Sequence, residues 1–290
     1  MSTRDPLGVD RHLPPFDQFS SLQWLASDRR GHASMEYARH HLFAARHRQR
    51  RVNLLVKVTA RLGVVYEQNL VNEIATLSTI NRELPDSRYF PFLEEHGRLP
   101  DGRLYLIMSL FDELPLAASI GPDRMPRRLL AHVRAAFEVA SALMELHRLQ
   151  IFHVDLNPMN VLYRIERERP VVRIVDFESS YEVARHASGT FYNPPTSPGF
   201  TAPEVPARAP DARSDLFSLG AVLYTTLAGF HWTWTDDLQR SVQADAEIDA
   251  ELKTILLAAV AREPERRYPS VAEFQLALGG YIAHVFRLEP

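Results

Sequence analysis

The sequence predicts an α+β chain in two unequal parts, a small strand-rich N-terminal part and a larger helical one. Three observations carry this. Short apolar runs with strand character crowd the stretch before Met108, and long segments with helical apolar spacing fill the stretch after it. A hydrophobic content of 46% over 290 residues is enough to bury a large core.

Residues 1–19 read as a flexible leader, polar and proline-bearing, without the apolar stretch a signal peptide needs. The small part is assigned to residues 20–108 and the larger to 109–290. At its start "FSSLQWLAS", "HHLFAARH" and "VNLLVKVTA" suit strands, with the charged "RHRQRR" joining the last two as a hairpin. In "YEQNLVNEIATLSTINREL" the apolar Leu70, Ile74, Leu77 and Leu84 recur at helical spacing, and Pro85 stops the helix. "RLYLIMSLF" returns to strand character after the turn "PDGR".

Helix then dominates. "PRRLLAHVRAAFEVASALMELHRL" is long and amphipathic, and "DAELKTILLAAVA" and "SVAEFQLALGGYIAHVF" close the chain. "LFSLGAVLYTTLAGF" is the greasiest run, but Ser, Thr and Gly interrupt it and it is too short to span a bilayer, so it reads as a buried helix. Between the first two helices "NVLYRI" and "VVRIVDF" form a hairpin around the charged "ERERP".

Composition narrows the function. A formal net charge of -3 argues against nucleic acid as a partner, and no segment argues for a membrane. The absence of cysteine excludes disulfides, thiolate metal sites and a cysteine nucleophile, and fits a cytoplasmic protein. Oligomeric state is not encoded in any motif.

Two loops carry the chemistry. "HVDLNPMN" presents Asp155 and Asn160, and "VRIVDFESS" presents Asp176 at the end of a strand. Two carboxylates and an amide oxygen are hard ligands that suit Mg²⁺, and one carboxylate can take a hydroxyl proton. In this order and spacing the loops resemble the H-R-D-x-x-x-x-N and D-F-G motifs of protein kinases. Lys57 in "NLLVK", Glu73 in "NEIATL", and the later "TSPGFTAPE", "SDLFSLG" and "EPERRYPSVAEF" fall in the same register. The resemblance, to bacterial serine/threonine protein kinases, runs from about Leu22 to Phe286.

It implies a bilobal protein-kinase-like fold, ATP with Mg²⁺ or Mn²⁺ as cofactors, and transfer to a Ser or Thr hydroxyl of a protein substrate. Asp155, Lys57 and Asn160 would be catalytic, with Asp155 as base. Lys57, Glu73, Leu42, Leu55, Met108, Ser109, Phe111 and Leu162 would bind the nucleotide, and Asn160 and Asp176 the metal. Glu204 and Arg267 would form a buried pair, and Asp215 would brace the catalytic loop.

The pattern also breaks. "MEYARHHL" occupies the place of the glycine-rich loop without a glycine, so its backbone cannot approach phosphate in the usual way. Arg39, His40 and His41 could lend charge there, although a solvated strand face is the expectation. Leu55 replaces the roof alanine, Val154 the arginine before Asp155, and Asn157 the lysine two residues after it. Glu178 stands where the glycine of D-F-G would be, as in choline kinases and aminoglycoside phosphotransferases. Three readings follow: an active protein kinase, a pseudokinase serving as a binding or scaffolding module, and a small-molecule phosphotransferase. "TSPGFTAPE", with Ser197 at the position that marks Ser/Thr specificity, belongs to a protein-substrate platform that the third class lacks.

Overall fold

The computed structural model describes residues 8, 12–27, 39–121, 126–167, 169–187, 197–205, 207–229 and 237–288. The chain divides into two compact units, Met1–Arg82 with Pro91–Asp112, and Glu83–Phe90 with Glu113–Pro290.

Among the described residues the first unit holds a five-stranded antiparallel sheet, one α-helix and a short 3-10 turn at Phe16–Gln18. Its strands are β1 (Phe19–Ser27), β2 (His40–His47), β3 (Asn53–Thr59), β4 (Leu93–Arg98) and β5 (Leu104–Ser109), in the order β1-β2-β3-β5-β4. Helix α1 (Val64–Glu83) lies between β3 and β4 in the chain. Alternation sorts the side chains: Phe43, Ala45, Leu54, Val56, Val58, Tyr105 and Ile107 form one buried cluster, and Phe16 and Phe19 join it at 3% and 4% exposure. The end of the segment read as a leader therefore packs into this core. His40 and His41, expected on a solvated face, are instead buried, and His40 Nε2 donates to the Tyr66 carbonyl at 3.2 Å. A chain entering a sheet buries both of its faces where both are covered, which polarity alone does not reveal.

In the second unit the elements are β6 (Leu114–Pro115), α2 (Pro126–Arg148), β7 (Ile151–Phe152), β8 (Val161–Glu166), β9 (Arg169–Ile174), β10 (Tyr181–Glu182), α3 (Val183–His186), α4 (Ala212–Ala228), α5 (Leu238–Ala244), α6 (Ala250–Ala259) and α7 (Val271–Leu288). β6, β8 and β9 form one small sheet, and β10 pairs with β7. The β8–β9 hairpin is tighter than "ERERP" suggests, since Glu166 already pairs with Arg169.

α4 is the centre of this unit. Asp211 caps its start, its side chain accepting from Arg213 N, while the Ser214 hydroxyl oxygen accepts from Asp211 N in a capping box. Every residue from Ser214 to Ala228 is buried, as a helix that is apolar all round requires. Gly220 lets α6 approach closely: a Cβ there would lie 2.8 Å from the Val260 side chain and 2.9 Å from that of Ala259. α7 is tied to α2 by Gln275, which donates to the Phe137 carbonyl at 3.0 Å and to Ser141 Oγ at 2.6 Å. Among the described residues no helix is long and apolar enough to cross a membrane.

Candidate functional site

In the first unit the face opposite the aromatic core carries most of the residues assigned to nucleotide. Leu42 lies directly across from Lys57 on the neighbouring strand, and Leu55 directly across from Met108. Partners across a ladder share a face, as do residues two apart, so Leu42, Leu55, Lys57 and Met108 stand together. All four are buried. Lys57 Nζ meets Glu73 Oε2 of α1 at 2.7 Å, with the carboxylate fully buried, so two charges removed from water compensate each other. Ser109 is on the other face, across from Leu54, and its hydroxyl accepts from Phe92 N at 3.1 Å. Phe111 follows the end of β5 and is half-buried.

The second unit holds the two loops. After β7 the chain turns at Val154, whose φ of 67° is left-handed, an unusual place for a β-branched residue. Asp215 of α4 fixes that turn: its carboxylate accepts from His153 N at 2.9 Å, from Val154 N at 2.7 Å, and meets His147 Nε2 at 2.8 Å. A buried carboxylate is tolerated because these donors replace its water.

Asp155 and Asn160 are both buried, and Asn160 Nδ2 donates to the Asp155 carbonyl at 2.9 Å. The same loop is joined to the second one, since Val175 N donates to the Asn160 carbonyl at 3.0 Å. Asp176 then takes a left-handed φ of 71°, which aspartate tolerates better than most residues. His153 Nε2 must carry its proton, because its partner at 3.2 Å is the Val175 carbonyl, which can only accept. The His153 and Phe90 rings meet Phe177 edge-on at 5.1 and 5.9 Å, and Phe177 is fully buried. Leu162 of β8 is buried as well.

The Ser197 hydroxyl donates to Asp155 Oδ1, a short bond between a chain hydroxyl and the carboxylate read as a base. Asn157 is built into the loop: its Oδ1 accepts from Met159 N at 2.9 Å, and its Nδ2 donates to the Asp155 carbonyl at 3.0 Å and toward Ser197 Oγ at 3.5 Å. An asparagine that turns the chain in this way is a loop former, which the loss of lysine charge did not suggest. His147 is a second residue that sequence reasoning passed over; its place in the last turn of α2 gives no signal of its bond to Asp215.

The donor set suits a hard divalent cation. Asn160 commits its amide nitrogen to the Asp155 carbonyl and keeps Oδ1 apart from that bond, and Asp176 supplies a carboxylate. Farther along, Arg267 forks onto Glu204, with both of its terminal nitrogens 2.8 Å from the two carboxylate oxygens. Burial works against the charge of Glu204, but the bonds from Arg267, with a smaller one from Ser214, outweigh it and hold the carboxyl below its usual range.

The chain matches the family described as "Protein kinase domain" over residues 41–275. The serine/threonine-protein kinase Pkn1 of Myxococcus xanthus is 31% identical over 201 residues, covering 64% of this chain and 29% of Pkn1. Ribosomal protein S6 kinase alpha-2 of Homo sapiens is 36% identical over 137 residues, 45% of this chain and 18% of that protein. The chain thus spans less than a third of the length of these curated relatives. The kinase domain of Mycobacterium tuberculosis PknI superposes with a TM-score of 0.61 at 20% identity, covering 90% of this chain and 96% of that one.

Proposed function

Because the chain belongs to the protein kinase family, matching it over residues 41–275, we propose that it transfers the γ-phosphoryl group of ATP to Ser or Thr hydroxyls of a protein substrate. The observation that carries this is the hydrogen bond from the Ser197 hydroxyl to Asp155, which supports a carboxylate oriented to receive a hydroxyl proton. We place the activity in the cytoplasm, consistent with a chain that has no cysteine.

In this reading Asp155 takes the proton of the acceptor hydroxyl as its oxygen bonds to the γ-phosphorus and the bond to the ADP oxygen breaks. Lys57, held by Glu73, binds the α- and β-phosphates. Leu42, Leu55, Met108 and Leu162 face the base, and Ser109 and Phe111 belong to the segment that lies along it. Asn160 and Asp176 hold Mg²⁺ or Mn²⁺, which when bound neutralises charge on the transferring group. Asn157 brings no cation to that group, so the positive charge that a lysine at this position would supply there is missing.

The test is Asp155→Asn. Transfer of label from ATP to a generic protein substrate should vanish while nucleotide affinity stays within a few fold, because the base acts on the acceptor and not on ATP. Loss of affinity along with rate would make Asp155 a structural tie and sink the assignment. The commitment of Asn157 to its own loop favours a second reading, a pseudokinase that binds nucleotide or a partner without transfer. Nucleotide binding with no labelled protein would select it. A small-molecule phosphotransferase would instead turn over ATP only with small amines or alcohols.

A further inference from the structure

Within the first unit, α1 is tied to the sheet along its whole length by side chains. At its start His40 of β2 donates to the Tyr66 carbonyl at 3.2 Å. In the same turn Glu67 receives a two-pronged bond from Arg98 at the end of β4, Nη1 to Oε1 at 3.1 Å and Nη2 to Oε2 at 2.7 Å. Arg98 also donates to the Gly102 carbonyl at 2.8 Å, so one guanidinium joins the helix, the strand and the β4–β5 turn. At the far end Asn81 brackets the entry to β4, donating to the Pro91 carbonyl at 3.0 Å and accepting from Leu93 N at 2.6 Å. Midway between these ties lies the Lys57 to Glu73 contact.

A helix free to swing or rotate would carry Glu73 away from Lys57, since a carboxylate on α1 and an ammonium on β3 keep 2.7 Å only at one rotation and depth. The ties at Tyr66, Glu67 and Asn81 fix both. The Arg98 bond is the strongest kind of polar tie available at a surface, planar, forked and charge-assisted on both sides. Glu67 also sits in the first turn of α1, where a negative charge is favoured by the helix dipole. Arg98 pulls its carboxyl below the usual range, chiefly by the hydrogen bond.

We propose that Glu67 and Arg98 are positioning residues that hold α1 in register, so that the Lys57–Glu73 pair is assembled in the resting protein without an activator. The proposal deepens the kinase reading and rests on it only for the role of Lys57 toward ATP.

The experiment reads Lys57 directly. The purified full chain and the variants Glu67→Gln, Arg98→Gln and Arg50→Gln are pulsed with N-hydroxysuccinimidyl acetate at low salt, and acetylation of Lys57 is followed by peptide mass spectrometry. Arg50 makes an exposed pair with Glu94 in the same unit but off α1, so its variant controls for the loss of a surface charge. Both clasp variants should acetylate Lys57 several-fold faster, with melting temperatures close to wild type because exposed pairs contribute little to global stability. Arg50→Gln should match wild type, and raised salt should speed only the wild type and this control, toward the clasp variants. Unchanged Lys57 acetylation in both clasp variants, or an equal rise in Arg50→Gln, would overturn the proposal. A rise in acetylation together with a several-fold higher KM for ATP supports both claims. A rise without any change in KM leaves the clasp standing and removes Lys57 from the phosphates.

Discussion

Leu55 and Met108 face each other across β3 and β5 on the side of the sheet that bears Lys57, and both are buried. If Leu55 overhangs adenine, as the proposed function has it, its extra bulk would strain the complex by roughly 1–3 kcal/mol. Leu55→Ala should therefore tighten ATP binding by titration calorimetry while costing about 2–5 kcal/mol of stability, the usual range for a core truncation. A triphosphate without a base should show no gain; equal or weaker ATP binding in a folded variant would refute the crowded roof. Glu204 offers a pH test. Its folded carboxyl is held below the ordinary range, so its contribution is complete above the unfolded value and lost as pH falls through the folded one. Glu204→Gln should cost about 3–5 kcal/mol at pH 7, the range for breaking a buried pair. The gap from wild type should narrow as the solution is taken below about pH 4.5.

At the scale of elements, sequence and structure part company where packing outweighs pattern. The bounds Phe19–Ser27 and His40–His47 are legible because those runs are apolar and end in charge or turn residues. β4 is not: "LEEHGR" shows no alternation, and it is a strand because β5 offers a ladder. α5 is short, and its signal is the cap Asp237, which accepts from Arg240 N. In the candidate site, the order of Lys57, Glu73, Asp155, Asn160 and Asp176 is written in the chain. The ties of Asn157, His147, Glu67 and Arg98 depend on which turns and strand ends meet, which local sequence does not record. The segment after Asp176 carries a further prediction. Val154 leaves no arginine beside Asp155 to read a phosphate there. Ser179 and Ser180 are buried, at 4% and 0%, and Tyr181 of β10 pairs with Phe152 of β7; Ser188, Thr190, Tyr192 and Thr196 lie outside the described residues. Phosphatase treatment should leave the transfer rate unchanged, and a large drop would show that another cation reads the segment.

For the molecule as a whole, a ligand that binds only the folded state raises its melting temperature by mass action. ATP should therefore raise it more with Mg²⁺ or Mn²⁺ than without, and Asp176→Asn should remove most of that increment. An undiminished increment in the variant would mean that the metal is held elsewhere. The division of the chain has a different consequence. Residues Glu83–Phe90 belong to the second unit although both their flanks belong to the first, so the chain passes from one unit to the other at 82/83, 90/91 and 112/113. In that excursion Arg88 pairs with Glu138 at 2.8 Å, Ile174 N donates to the Tyr89 carbonyl at 2.8 Å, and Tyr89 and Phe90 are 6% and 5% exposed. No single cut yields two complete halves. A fragment ending at Asp112 would carry Tyr89 and Phe90 as an uncovered aromatic tag, prone to self-association, while its complement would lack the eight residues that cover Phe177 and answer Glu138. Split reporters and truncations of this protein should therefore be designed around a transplanted 83–90 segment rather than around a boundary between two stretches of sequence.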